Sequence, residues 1–423
     1  MAIYSASIRI DWIISRSMLN DAKKICFHAI DSCLPEGGVA RALEDLQIDK
    51  EVYLLAVGKA AFNMALEASR HVSIKEGIVI SKYGHISGSI KNVECFEAGH
   101  PIPDRNGLKA SEEAIRMCED LKSDDIVLFL LSGGASALFE SPLIPLERLQ
   151  DLSTQMLKKG LNIFEINAVR KKLSRVKGGR FGDLCKPAKV YSIILSDVLS
   201  DRLDTIGSGP TVRDETGTQE TLKILESHDI DLCEDIRKII LSSAPGKADN
   251  CENIVIGSVR MLCRKAMKEA ERLGYKAVLI DDHIDMEARD AGQFLFEKIQ
   301  EYRGSGEDVA LIMGGETIVH VKGKGLGGRN QELVFSQMKN IAGMDDVLIM
   351  SVGSDGTDGP TDAAGGYVDG SSYEKLKKAG GDFEALLEDN DSYHGLKMID
   401  SLIFTGPTGT NVNDISIALI KRS

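Results

Sequence analysis

The chain has 423 residues, a length that leads us to expect two domains or three, and its balance of 43% hydrophobic and 27% charged residues excludes a fibrous or largely disordered protein. Its formal net charge of −13 argues against a nucleic-acid surface, which needs clustered Lys and Arg. The most apolar run, IVLFLL after Asp125, is strand-length and far short of the roughly 20 residues that cross a bilayer, so no membrane span is expected. The N-terminal stretch MAIYSASIRIDWIISRSMLNDAKK mixes charge into its apolar residues, which argues against a secretion signal. The eight cysteines are scattered, without C-x-x-C or zinc spacing, and read as reduced, mostly buried thiols of a cytoplasmic protein.

In chain order, short apolar runs alternate with Gly, Ser, Thr or Asp loops and helix-periodic segments, the pattern of βαβ units around a largely parallel sheet. The strands and their loops are EVYLLAV then GKAA, GIVIS then KYGH, IVLFLL then SGGAS, VYSIIL then SDVLSD, NIVIG then SVR, VALIM then GGET, VLIMSV then GSDGTDG, and SLIFT then GPTGTN. Apolar spacing of three and four predicts helices over Ala60–Ser69, Ser111–Lys122, Gln219–Glu226, Met261–Leu273 and Ala288–Arg303. The turn-rich stretch Ser242–Asn250 is the linker candidate, which gives domains 1–245 and 246–423, with the first ~40 residues free to pack on the other domain.

Ligands of open parallel sheets bind beyond the carboxyl ends of the strands, so the loops after them hold the candidate residues. Lys59, directly after a strand, stands where a phosphate would. Ser132, Gly133, Gly134, Ala135 and Ser136 form a turn whose backbone can approach an anion. Asp197, followed by Asp201 and Asp204, and Asp355 in the run Gly353–Pro360 are candidates for metal ligand or base, because Mg²⁺ takes one or two carboxylates plus phosphate oxygens. The G-x-G-x-x-G at Gly323, Gly325 and Gly328 lacks the acidic residue of a dinucleotide site, and Arg329 behind it suits a phosphoryl group or a carboxylate. The basic stretch Asn167–Arg180 carries Val169, Leu173 and Val176 on one stripe and reads as a surface helix whose charges could draw in ATP or a small carboxylate. No H-E-x-x-H, G-x-S-x-G or P-loop motif occurs.

Taken together, VGKAA (Val57–Ala61), GHPIPDRNG (Gly99–Gly107), LLSGGASAL (Leu130–Leu138), INAVRKKLSRVKGGR (Ile166–Arg180), SDVLSDRLDTIGSGPT (Ser196–Thr211), GGET (Gly314–Thr317), GKGLGGRNQE (Gly323–Glu332), GSDGTDGPTDAAGGYVD (Gly353–Asp369) and GPTGTNVND (Gly406–Asp414) resemble the glycerate 2-kinases whose C-terminal half is called the MOFRL domain. The resemblance spans nearly the whole chain. It implies a kinase acting on D-glycerate, usually at the 2-hydroxyl, that depends on ATP and on Mg²⁺ or another divalent cation. It also implies a Rossmann-like domain and a smaller α/β domain around an interdomain cleft.

By motif, Lys59, Arg329, Asp197 and Asp355 are the implied catalytic residues. Ser132–Ser136, Gly325, Gly327, Gly328 and Asn411 are the implied ATP and phosphate contacts, Arg170, Lys171 and Arg175 the substrate contacts, and Asp197, Asp355 and Asp358 the metal ligands. A homodimer is compatible with this reading. The same family has been labelled hydroxypyruvate reductase, so an NAD(P)H-dependent reductase is the alternative, and a non-catalytic nucleotide sensor is a third.

Overall fold

The computed structural model describes residues 17–199 and 202–422. Asp201 and most of the N-terminal stretch read against a secretion signal lie outside them. The described residues open with α1 (Met18–Asp31) and α2 (Pro35–Leu46). It continues through β1 (Val52–Val57), α3 (Ala61–His71), β2 (Ile74–Lys82), β3 (Val93–Ala98), α4 (Arg105–Met117), β4 (Ile126–Leu131) and α5 (Ala135–Leu138). Helices α6 (Leu146–Lys158), α7 (Ile163–Lys172) and α8 (Arg180–Leu184) lead to β5 (Lys189–Leu195), α9 (Thr218–Ser227), α10 (Glu234–Ser242) and β6 (Cys251–Gly257). Six strands in the order β3-β2-β1-β4-β5-β6 form one parallel sheet. The central strand β4 is apolar on both faces because helices cover both, which is why it reads as an unbroken hydrophobic run.

The second part holds α11 (Val259–Arg272), β7 (Lys276–Ile284), α12 (Ala288–Tyr302), β8 (Val309–Gly315), α13 (Arg329–Gln337), β9 (Val347–Gly353) and β10 (Gly365–Asp369). Helices α14 (Ser372–Lys378), α15 (Phe383–Glu388) and α16 (Ser392–Lys397) precede β11 (Leu402–Ile403) and β12 (Asp414–Ile420). This sheet, β11-β10-β9-β12-β8-β7, is mixed, with β12 antiparallel to both β8 and β9. The antiparallel insertion places the first residue of β12, Asp414, opposite the last residues of β8 and β9, Gly315 and Gly353.

The break expected at 245/246 falls before β6, yet β6 pairs with β5 in the first sheet, so the first sheet closes only at Gly257. Helix α1 packs on α11, β9 and β12 of the second part, while α2 packs on α3 and β6 of the first. One apolar cluster, including Ile25, Val39, Leu54, Ile256, Ile312 and Ile417, is shared by both sheets through α1, α2 and α11. A separate cluster holds α6, α7, α9 and α10 together beside the first sheet. Among the described residues no helix is long and apolar enough to cross a membrane.

Candidate active site

Strands β1 and β4 lie side by side, so their C-terminal loops meet. Ser132 N–H donates to the Val57 carbonyl at 2.9 Å, Lys59 N–H to the Gly133 carbonyl at 2.9 Å, and Ala60 N–H to Ser132 Oγ at 3.1 Å. A Cβ at Gly58, whose φ is +125°, would sit 2.2 Å from Ser132 Oγ, so only glycine allows this contact. The backbone N–H groups of Gly133, Gly134, Ala135 and Ser136 have no protein acceptor among the described residues, and the exposed Lys59 side chain has no ion-pair partner there.

Asp197 follows β5, the neighbour of β4, and its carboxylate lies directly against the glycine turn: a Cβ on Gly133 would be 2.2 Å from Asp197 Oδ2. Burial pushes the Asp197 carboxyl above its ordinary value; Lys59 opposes the shift and Glu316 adds to it. Glu316 comes from the loop after β8, so the two parts of the chain face each other here across a cleft. His100 lies over Gly134, and burial together with Lys59, Lys82 and His85 holds its imidazole below the ordinary range.

On the far side, Arg329 opens α13. Its Nε and Nη2 donate to the Asp414 carboxylate at 2.5 and 3.0 Å, and Nη1 donates to Glu316 at 2.6 Å. These carboxylates raise the Arg329 pKa against the opposing effect of burial. Burial pushes the Asp414 carboxyl up to about 7, with the two-pronged contact of the guanidinium opposing the shift. Asp355 Oδ1 accepts from Thr357 N and Oγ1 at 2.9 and 3.0 Å, which leaves Oδ2 without a protein partner among the described residues.

Several expected residues have other work. Asp358 is not placed as a metal ligand: its oxygens accept from the backbone N–H and side-chain amide of both Asn330 and Gln331, capping α13 and occupying the lone pairs a cation would need. TIVHV before the glycine loop forms no strand beyond an isolated bridge at Ile318. The N–H groups from Lys322 to Leu326 donate to the Asp389–Asp391 turn, so the Gly325 amide is not open to a phosphate. Gly327 and Gly328 instead permit close approach to Ser392 and Asp358 while lining the cleft. Asn411 Oδ1 accepts from Asn413 N at 3.2 Å and lines none of the cavities described below.

The basic stretch is not a solvated helix face. Lys171, Lys172 and Lys177 are 3%, 1% and 0% exposed. Lys171 pairs with Asp204 at 2.9 Å and Lys172 with Asp214 at 2.7 Å, while Lys177 pairs with Glu140 at 3.1 Å. Arg175 is tied at the surface to Glu112 at 3.0 Å. Lys171 and Arg175 are therefore committed to carboxylates; Lys171 lines a separate cavity of about 380 Å³ with Arg202 and Asp204, and of the three expected substrate contacts only Arg170 lines the cavity beside the glycine turn.

That cavity, about 580 Å³, runs from the glycine turn and Asp197 to α6 and α7. Another, about 650 Å³, is lined by Leu199 of the first part with Glu316, Gly328, Arg329 and Pro360 of the second. Among the described residues, Asp281, Asp282 and His283 on the edge strand β7 form a grouping of three metal-compatible side chains. His100, Glu316 and Asp414 went unread in the sequence, although each lies in one of the blocks quoted above.

Residues 309–414 match the MOFRL family, and residues 21–241 match a family described as a domain of unknown function, DUF4147. The chain is 46% identical over 407 residues to a D-glycerate 2-kinase of Thermotoga maritima, covering 94% of this chain and 97% of that one. It is 41% identical to a glycerate 2-kinase of Pyrococcus horikoshii over 89% of each chain. A crystal structure of glycerate kinase from Thermotoga maritima superposes with a TM-score of 0.91 at 46% identity, covering 95% of this chain and 99% of that chain. With its two-sheet fold and its cleft of strand-end loops, the chain belongs to the MOFRL-domain glycerate 2-kinase family and is an enzyme of that kind.

Proposed function

We propose that the chain transfers the γ-phosphoryl group of ATP to the 2-hydroxyl of D-glycerate, giving 2-phosphoglycerate and ADP. The observation that carries this reading is the meeting of the Lys59 side chain and the four backbone N–H groups at Gly133–Ser136, all without a protein partner among the described residues, with the Asp197 carboxylate, opposite Arg329 across the cleft.

The backbone donors suit phosphate oxygens, and the Lys59 ammonium suits the charge on the transferring group. The substrate oxygen attacks the γ-phosphorus, the bond to the β-phosphate oxygen breaks, and Asp197, its carboxyl raised by burial, accepts the hydroxyl proton. Arg329 already spends its fork on Asp414 and Glu316, so it reaches a phosphoryl group by exchanging Glu316 for it as the domains close. The uncommitted Asp355 Oδ2 fits a divalent cation that keeps water and phosphate as its other ligands. Mg²⁺ bound there would offset charge on the phosphates.

The reductase alternative needs the Gly323 loop to act as a dinucleotide turn, and the committed N–H groups from Lys322 to Leu326 favour the kinase. ADP release from ATP with D-glycerate, followed by phosphorus NMR of the product, tests the donor and the position of transfer. NADH consumption with hydroxypyruvate and no ADP would overturn the reading.

A further inference from the structure

The imidazole of His100 stands at the glycine turn without a partner of its own. A Cβ on Gly134 would lie 3.0 Å from His100 Cδ2, 3.3 Å from His100 Nε2 and 3.5 Å from Lys59 Cγ, so the ring and the lysine stem press on the same backbone atom. Neither ring nitrogen has a hydrogen-bond or ion-pair partner among the described residues. Nε2 is therefore uncommitted beside Gly134, one of the four N–H donors that suit phosphate oxygens.

The charges around the ring are one-sided. Burial, then Lys59 from the loop after β1, Lys82 at the end of β2 and His85 just beyond it, hold the imidazole below its ordinary range. His85 Nδ1 donates to the Lys59 carbonyl at 3.1 Å, which keeps the second imidazole beside the lysine. Lys82, like Lys59, has no ion-pair partner among the described residues. The carboxylates of the neighbouring elements are bonded elsewhere: Glu97 of β3 accepts from Gly84 N–H at 2.7 Å, and Asp104, before α4, accepts from Tyr83 Oη at 2.7 Å and Gly107 N–H at 2.9 Å. Asp197 lies against Gly133 rather than Gly134, and the cation acting on it is Lys59. In a chain of net charge −13, this corner is a local excess of positive charge. A phosphate arriving there gives the ring an acceptor and reverses the sign of the field on it, and both changes favour the imidazolium.

We propose that His100 is a phosphate-binding residue that takes up a proton as ATP binds, neutral in the free protein and donating through Nε2 to a phosphate oxygen in the complex. The proton comes from solvent, and no covalent bond of the nucleotide changes. The proposal rests on the placement of phosphates at the glycine turn in the kinase reading and adds a contact whose charge depends on the ligand. Linkage sets the sign: the complex holds the proton more tightly than the free protein, so ATP affinity falls as pH rises through the imidazole titration of the complex, by up to about 10-fold per pH unit.

The test is calorimetry of Mg·ATP binding to the full chain near about pH 7.5, in buffers of different ionisation enthalpy, for wild type and His100→Asn. Protonation of the nucleotide itself cancels in the difference between the two proteins. The expected result is that wild type takes up about 0.3 to 1 proton more than the variant, and that the variant binds about 10-fold more weakly near pH 6.5 but within about 3-fold of wild type near pH 8.5. A merely structural role would weaken binding equally at every pH and leave the proton count unchanged. Either of those outcomes would overturn the assignment.

If His100→Asn does not fold, histidine Cε1–H NMR of wild type replaces it: one of the eight imidazoles should pass from the neutral to the protonated shift on adding Mg·ATP, and eight unchanged resonances contradict the proposal. A chain that forms ADP with D-glycerate but shows no such uptake keeps the kinase reading and loses this role for His100. One that takes up the proton with ATP but forms no ADP with D-glycerate does the reverse, and absence of ATP binding overturns both.

Discussion

Arg329 holds Asp414 with two prongs, at 2.5 and 3.0 Å, and with its remaining nitrogen it holds Glu316, the residue that faces Asp197 across the cleft. One guanidinium thus ties the first residue of β12 to the loop after β8 and reaches toward the first domain. Replacing it with Lys keeps the charge but loses the fork. Arg329→Lys is expected to lower kcat by about 10²-fold or more and stability by about 2 kcal/mol, because Asp414 is left buried with a poorer partner. Steady-state rates and thermal melting check it. A variant with wild-type kcat would remove Arg329 from the chemistry.

Gly133 is the position where a single methyl group reports on Asp197. The Cβ of Gly133→Ala would meet Asp197 Oδ2 at 2.2 Å, so the carboxylate must move. The expected outcome is a fall in kcat of at least about 10²-fold with little change in melting temperature, since a misplaced catalytic group costs rate more than stability. Lys59→Ala is expected to lower kcat by one to several orders of magnitude, also with little effect on folding. Parallel kinetics and melting curves test both, and normal turnover by either variant would contradict its role.

Asp197 also links activity to pH. Its folded carboxyl titrates above the unfolded one, so the folded state binds the proton more tightly and stability falls as pH rises through that window. In the presence of a chelator, Asp197→Asn should therefore melt higher than wild type at pH 7. The difference should vanish below about pH 4, where both forms of the carboxyl are protonated. The same substitution should abolish the acid limb of the kcat profile. A wild type that melts above the variant at pH 7 would contradict the burial account.

Lys172 separates structural from functional cations in the basic stretch. Its Nζ lies 2.7 Å from Asp214, both side chains nearly inaccessible. Lys172→Met should destabilise the protein by about 3 kcal/mol while leaving the KM for glycerate unchanged. A raised KM with normal stability would reverse the assignment.

The sequence exposes what depends on local pattern. IVLFLL coincides with β4 because a strand covered by helices on both faces must be apolar throughout. The run DISIALI, by contrast, went unread as β12, and with it the antiparallel insertion that makes the second sheet mixed. β3, VECFEA, carries two glutamates at a sheet edge and lacks the apolar continuity that marks a buried strand.

The functional misreadings share one cause, distant burial. The charged face opposite Val169, Leu173 and Val176 looks solvated until residues some 30 to 40 positions on, Asp204 and Asp214, cover it. Asp355 and Asp358 sit three residues apart with the same composition around them, yet only the fold shows that Asp358 caps α13. The pairing of Asp414 with Arg329 spans 85 residues and leaves no local signal.

The most direct measurement is ADP formation by the full chain with ATP and D-glycerate, with and without Mg²⁺, with the product identified by phosphorus NMR. The expected result is Mg²⁺-dependent, stoichiometric formation of ADP and 2-phosphoglycerate; absence of ADP, accompanied by NADH oxidation with hydroxypyruvate, would contradict the assignment of phosphoryl transfer to this cleft.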